Sequence, residues 1–147
     1  MSGKDDRLAK RLEKHLVRKG VYDTDQNDHY QVIVSLFHLL LQTAVDTRRE
    51  DLIMRTVGRL YIRLQAYMLT VKGVSEKSWY RPFIKEVHPK RDVQADQEWL
   101  HEMAKALELD NRNFMDVKKF SYGLTRIARN HGFTYYDCVT PLFKEDD

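Results

Sequence analysis

The sequence has few residues of the kinds that build turn-rich or cross-linked folds. Its 147 residues include 6 glycines, 3 prolines and 1 cysteine. Sandwiches and barrels need many turns, so the low glycine and proline content argues against both classes. The lone cysteine, Cys138, cannot form an internal disulfide, and it excludes zinc-finger and iron–sulfur sites, which need several cysteine ligands.

Long apolar runs are also missing. An uncharged stretch covers residues 31–45, and it is too short to span a bilayer. The first residues, MSGKDDRLAKRLEK, contain no apolar segment like that of a secretory signal. We therefore predict a cytoplasmic protein that has no membrane partner.

The composition does provide enough apolar residues for a core, together with a mild excess of positive charge. Hydrophobic residues make up 42% of the chain and charged residues 32%, which is typical of a globular domain. The net charge is +3 and the pI is about 8.9. Such a balance allows a polyanionic partner without requiring one.

Apolar residues recur at helical spacing along most of the chain. The pattern predicts helices over residues 5–19, 29–45, 47–71, 92–109 and 114–131. We predict an all-α fold, a single-domain bundle of about five helices over residues 1–147. Residues 1–23 could form a semi-independent basic helix, and residues 133–147 a tail with a short extended or helical piece.

Several predicted helix ends have recognisable signals. Gly20, Gly73 and Gly132 stand where glycine commonly ends a helix. Thr24 or Asp25 can cap the second helix, Thr47 to Glu50 match a capping box, and Asn113 can cap the fifth. The second helix is apolar on nearly every side, so we expect it to be the central, most buried element.

Basic residues repeat at helical spacing on three helices. Arg55, Arg59 and Arg63 recur every four residues, which places them along one face of the third helix. The fifth helix repeats the pattern with Lys119, Tyr122, Arg126 and Arg129, and the first with Arg7, Arg11, Lys14 and Arg18. Guanidinium groups suit phosphate oxygens and tyrosine can stack on a base, so the pattern favours nucleic-acid backbone binding. A solvated face, or pairing with acidic neighbours, is the alternative.

Candidate catalytic and metal-binding groups are few. Arg126 and His131 have the Arg-x4-His spacing of HEPN-type ribonucleases, although Ile127 stands where that motif is usually polar. Glu98 and His101 form a single Glu-x-x-His unit, whereas di-iron bundles use two. Cys138 has no histidine partner in its local sequence. We predict no catalytic residue, no metal and no cofactor, so the chain is not expected to be an enzyme.

Two segments resemble a known family. Residues 59–73, RLYIRLQAYMLTVKG, resemble the central helix of the small helical subunit of Csm-type (type III) CRISPR effector complexes, and residues 114–132 resemble that family's last helix. The resemblance covers about residues 48–132. It implies a non-catalytic subunit, stacked head to tail in a ribonucleoprotein, that lays basic residues on the guide or target RNA backbone. The phosphate contacts it implies are Arg63, Lys72, Lys119, Arg126 and Arg129.

Three functional hypotheses follow. The first is a small RNA-binding subunit of a CRISPR effector complex, with RNA and other subunits as partners and with self-stacking. Its nucleic-acid contacts are Arg55, Arg59, Arg63, Lys72, Lys119, Tyr122, Arg126 and Arg129. The second is a protein–protein adaptor or phage-type inhibitor of a larger enzyme, anchored by the aromatic residues of segment 79–83. The third is a HEPN-like ribonuclease that uses Arg126 and His131.

Overall fold

The computed structural model describes residues 3–44, 49–72, 93–108 and 117–145. Within these ranges the chain forms six α-helices and one short 3-10 helix, and it contains no strand. The all-α prediction is confirmed, with one α-helix more than the five that were predicted. The elements are α1 (Gly3–Arg18), the 3-10 helix (Val21–Asp23), α2 (Gln26–Gln42), α3 (Glu50–Lys72), α4 (Val93–Glu108), α5 (Val117–Asn130) and α6 (Tyr135–Glu145).

Helix α3 lies at the centre of the bundle. It packs against α2 and α6 over most of its length, and it also contacts α1 and α5. Ile53, Val57 and Leu60 are fully buried, as is nearly every residue from Leu64 to Leu69. The expectation that α2 would be the most buried helix was wrong, because Leu39 of α2 is 41% exposed. The aliphatic residues of α2 are numerous, but only one side of the helix meets α3 and α4.

Two of the predicted helix-terminating glycines act as expected. Gly20 and Gly132 both have φ of +84°, a left-handed backbone that favours glycine over other residues. After α5, Gly132 donates its N–H to the carbonyl of Arg129, and Phe133 donates to the carbonyl of Ala128. This pair of hydrogen bonds is a Schellman motif, which satisfies the last carbonyls of the helix.

The helix bounds agree with the sequence pattern to within a few residues. Helix α2, for example, begins at Gln26 rather than at residue 29, because Asp25 precedes it in extended conformation. Thr47, Gly73, Asn113 and the aromatic segment 79–83 lie outside the described residues. None of the helices in the described ranges is long and apolar enough to cross a membrane.

Helix α6, in the predicted tail, packs on the core. Of the two conformations expected for this segment, the helical one is found. Tyr135, Cys138 and Val139 are buried, and the ring of Tyr135 packs against that of Tyr61 with centroids 5.1 Å apart. Leu12 of α1 belongs to the same buried cluster. Both ends of the described chain therefore contribute to one core.

Two helix contacts depend on glycine. A Cβ at Gly58 would overlap the backbone carbonyl oxygen of Cys138, so α3 and α6 approach each other closely at this point. A Cβ at Gly123 would overlap the indole ring of Trp99, which lies directly over the backbone of α5. These contacts fix where α6 crosses α3 and where α4 meets α5.

Candidate functional site

The outer side of α1 forms a basic surface over residues 7–19. Between residues 7 and 19 every exposed side chain is a lysine or arginine, apart from Val17. The only carboxylate in this stretch, Glu13, is buried. Burial raises the pKa of Glu13, because desolvation disfavours its charged form. The exposed cations are Arg7, Lys10, Arg11, Lys14, Arg18 and Lys19.

The three arginines of α3 separate into an exposed pair and an inward one. Arg55 and Arg59 are exposed, whereas Arg63 is half-buried. A helix turns by 100° per residue, so residues eight apart differ by about 80° in direction and by about 12 Å along the axis. That rotation carries Arg63 from the solvent side of α3 towards α1. The predicted row of three arginines is therefore a row of two exposed arginines, Arg55 and Arg59. The third, Arg63, lies beside a cavity.

Arg63 contacts a histidine from α2. Its Nη1 lies 3.1 Å from Nδ1 of His29, and Nε2 of His29 lies 3.2 Å from the carbonyl oxygen of Val21. A carbonyl can only accept and a guanidinium can only donate, so His29 carries its proton on Nε2 and accepts at Nδ1. His29 is thus a neutral acceptor, and it supplies no negative charge to Arg63.

The cavity beside Arg63 is open at the junction of α1, the 3-10 helix, α2 and α3. Its volume is about 380 Å³. Its walls include the cationic groups of Arg63 and Lys19, the rings of His15 and His29, and an apolar part formed by Leu12, Leu16, Val21, Ile62, Ala66 and Phe143. No aspartate or glutamate of the described ranges lines it. Burial lowers the pKa of Arg63, because the charged guanidinium is desolvated there.

Arg126 of α5, another predicted phosphate contact, is engaged inside the bundle. Its Nε donates to Oδ1 of Asp96 on α4 at 3.0 Å, and Asn130 donates to the other carboxylate oxygen. The side chains of Arg126 and Asp96 are only 20% and 10% exposed. This ion pair joins α4 to α5, so the guanidinium of Arg126 is committed to a structural contact.

The remaining residues of the predicted set do not form one surface in the described structure. Within the described ranges Arg129 has a buried Nε without a hydrogen-bond partner, and its charge partly offsets the rise that burial causes in the pKa of Cys138. Tyr122 is 43% exposed. Lys72 and Lys119 belong to α3 and α5, but their side chains are outside the described part. The structure places Arg55 with Arg59, whereas Arg63, Arg126 and Arg129 each meet a different neighbour.

The alternative catalytic groups have separate surroundings. His131 lies 3.5 Å from Glu50 of α3, whereas Arg126 binds Asp96 of α4. Glu98 and His101 are both exposed, and the described residues contain no cluster of three metal-binding side chains.

Cys138 is equally unsuited to attack a substrate, because it is buried. Desolvation, with a smaller contribution from Asp137, raises its pKa to about 12, so the thiol stays protonated at neutral pH.

Two features of this region lie outside the predicted contact set. The basic face of α1 was visible in the sequence as cations at helical spacing, since Arg7, Arg11, Lys14 and Arg18 follow one side of the helix. The contact between Arg63 and His29 has no sequence signal, because the two residues are 34 positions apart and neither belongs to a motif. The chain matches no family model, no curated protein and no solved structure.

Proposed function

We propose that the protein is a non-catalytic RNA-binding protein that contacts the phosphate backbone through the exposed basic faces of α1 and α3. The observation that carries the proposal is the outer side of α1, where cations occupy every exposed position between residues 7 and 19 except Val17. Adjacent like charges on a helix repel one another, so such a face is stabilised when a polyanion neutralises it.

The exposed half of α3 supports the same proposal. Arg55 and Arg59 have no ion pair or hydrogen bond with any residue in the described ranges, so their guanidinium groups are free to bind phosphate. By contrast, exposed Arg49, just before the helix, pairs with Asp51 at 3.0 Å. Contacts between guanidinium groups and phosphates fix a protein on a nucleic acid without selecting a base sequence.

The finer part of the proposal concerns the assembly in which the protein works. The resemblance of residues 59–73 and 114–132 to the small helical subunit of Csm-type CRISPR effector complexes supports a place in such a ribonucleoprotein. There, specificity would come from base pairing of the guide RNA, and a subunit that holds only the backbone would suffice. Co-purification of the tagged chain tests this part. We expect other subunits and an RNA of defined length, and recovery of the chain alone would contradict it.

Backbone binding itself is tested by fluorescence anisotropy with a single-stranded RNA of about 20 nucleotides, titrated at about 50 to 200 mM salt. The affinity should fall steeply with salt. Each phosphate contact in a single strand contributes about 0.7 to the slope of log K against log salt concentration. Replacing Arg55 and Arg59 together by glutamine should therefore lower the slope by about 1.4 and weaken binding about tenfold at low salt.

Lys105→Gln is the matched control for these variants. Lys105 is an exposed cation on α4, outside both basic faces, so its loss changes the net charge without removing a proposed contact. It should leave the slope unchanged. Affinity that does not depend on salt, or an equal effect of Lys105→Gln and of the Arg55 and Arg59 substitutions, would overturn the proposal.

A further inference from the structure

We propose that the cavity between α1, α2 and α3 is a binding site for a phosphate monoester that carries an aromatic or apolar group, such as a mononucleotide or the 5′-phosphorylated end of an RNA. The site differs from the exposed arginine pair of α3, since Arg63 lines the cavity while Arg55 and Arg59 face solvent, and of the exposed cations of the α1 face it uses Lys19. It does not rest on the proposed function, because binding of a free mononucleotide is measured without RNA.

The charge of the walls selects an anion. Arg63 and Lys19 line the cavity, and no carboxylate of the described residues does. The only hydrogen-bond partner of Arg63 among those residues is the neutral ring of His29. Half-buried guanidinium groups are normally paired with a carboxylate, because desolvating an unpaired charge is costly. A bound anion would supply the missing negative charge.

The orientation of Arg63 favours phosphate in particular. The hydrogen bond from its Nη1 to His29 fixes one edge of the planar guanidinium against α2. The remaining N–H donors of Arg63 are available to the cavity, since none of its nitrogens is both buried and unpartnered. A guanidinium held in one orientation donates two parallel hydrogen bonds to phosphate oxygens with little further loss of rotamer freedom. Lys19, which directly follows α1, adds a second positive charge, and its ammonium group needs no particular orientation to attract a phosphate.

The rest of the cavity is too large and too apolar for inorganic phosphate alone. Its volume of about 380 Å³ falls in the range of sites for small organic ligands. Leu12, Leu16, Ile62 and Ala66 of α1 and α3 contribute apolar surface to the walls, which suits the organic part of such a ligand. Phe143 of α6 also lines the cavity, with its ring packed against Arg11 and His15.

Isothermal titration calorimetry of the full chain with AMP and with adenosine tests the site. The two probes differ only in the phosphate, so their contacts with the apolar walls of the cavity should be the same. We expect AMP to bind at least about tenfold more tightly than adenosine, as charge-assisted hydrogen bonds to one phosphate imply. Equal affinities for the two probes, or no binding of AMP, would overturn the proposal.

Variants assign the binding to the cavity. Arg63→Met should remove the preference for AMP over adenosine, and Lys19→Gln should reduce AMP affinity several-fold. Lys105→Gln, which alters charge away from the cavity, should leave both affinities unchanged. Lys19 is exposed at the rim, so its variant keeps the test decisive if Arg63→Met does not fold. AMP affinity that neither substitution changes would contradict the assignment.

A short RNA with and without a 5′-phosphate identifies the natural source of the group. A preference of about tenfold for the phosphorylated RNA, lost in Arg63→Met, indicates an RNA end. Equal binding of the two RNAs together with AMP binding indicates a free mononucleotide. Both outcomes support the site. The double variant of Arg55 and Arg59 should weaken RNA binding while AMP binding persists, so the two proposals can fail separately.

Discussion

Arg63 and Arg126 both point into the bundle, and their surroundings differ. Arg126 of α5 donates to Asp96, whose second oxygen accepts from Asn130. Among the described residues Arg63 of α3 donates only to His29, whose neutral ring accepts at Nδ1 while its Nε2–H donates to the Val21 carbonyl. The first is an internal ion pair between two helices. The second is a cation that faces a cavity to which no described residue contributes a carboxylate. A structural arginine therefore differs from one that can bind a ligand in the partner of its guanidinium group. Its position in a basic stripe does not separate the two cases.

The comparison has an energetic basis. Desolvation opposes the charge on both arginines, but among the described residues only Arg126 has a carboxylate partner that returns Coulomb energy. Removing a partner from Arg126 should therefore destabilise the fold strongly. Removing the guanidinium of Arg63 should cost the fold little, because burial of that charge is itself unfavourable. Stability measurements can separate the two cases in the absence of any ligand.

The largest effect is expected for Asp96→Ala. The substitution leaves the half-buried guanidinium of Arg126 without a counter-charge and removes the acceptor of Asn130. Breaking one partner of a fully buried pair costs about 3–5 kcal/mol. Because Arg126 is 20% exposed, we expect a loss of about 2–3 kcal/mol of unfolding free energy, measured by urea denaturation.

Glu102→Ala is the control for Asp96→Ala. Glu102 is an exposed carboxylate on the same helix, so its removal should change stability by less than about 0.5 kcal/mol. Equal losses from the two substitutions would mean that the Arg126 ion pair has no structural role, and the contrast with Arg63 would then disappear.

A smaller effect is expected for Arg63→Met. Methionine keeps the length of the side chain while removing its charge, so the desolvation cost disappears and apolar packing in the cavity wall is retained. The Nδ1 atom of His29 loses its donor, which costs about 1 kcal/mol. The two changes oppose each other, and we expect the unfolding free energy to stay within about 1 kcal/mol of the parent, again by urea denaturation.

Arg63→Gln sharpens that result. Glutamine also removes the charge, but its amide can still donate to His29. If the hydrogen bond to His29 accounts for the loss in Arg63→Met, the glutamine variant should recover part of it. A loss in Arg63→Met as large as that in Asp96→Ala would instead show that Arg63 is a structural residue.

The helices could be predicted from the sequence because their signals are local. The spacing of apolar residues predicted the helices near 5–19, 92–109 and 114–131. Gly20 and Gly132 predicted two of the helix ends. The order of burial could not be predicted in the same way. Helix α3 is central because Gly58 allows α6 to approach it closely, and this pairing joins segments about 80 residues apart.

The direction of each arginine was also beyond the sequence. A spacing of four residues predicts a common face, but it does not show where that face meets a neighbouring helix. Arg63 turns towards α1, and Arg126 meets Asp96 from a helix whose packing depends on Gly123. These contacts depend on how the helices cross, which is a tertiary property. The contribution of the predicted residues to nucleic-acid binding stays a prediction.

The smallest effect is expected for Glu13→Gln, and it tests whether Arg63 has a carboxylate partner after all. Glu13 lies on α1, the helix that lines the cavity, and burial alone raises its pKa above the ordinary value of 4.5. The folded state therefore holds the Glu13 proton more tightly than the unfolded state, and stability is lost as the pH rises through the raised pKa. Glutamine removes that loss, so we expect a gain of about a few tenths of a kcal/mol at pH 7.

The gain should vanish near pH 4, where the glutamate is largely protonated in both states, and urea denaturation at the two pH values measures it. A salt bridge between Glu13 and Arg63 would lower the pKa of the carboxyl instead, and Glu13→Gln would then destabilise the protein at pH 7. In the double variant with Arg63→Met, the two effects should add to within about 0.5 kcal/mol. Additive effects would support His29 as the partner of Arg63. A larger coupling energy would indicate that Arg63 forms an ion pair with Glu13, as Arg126 does with Asp96.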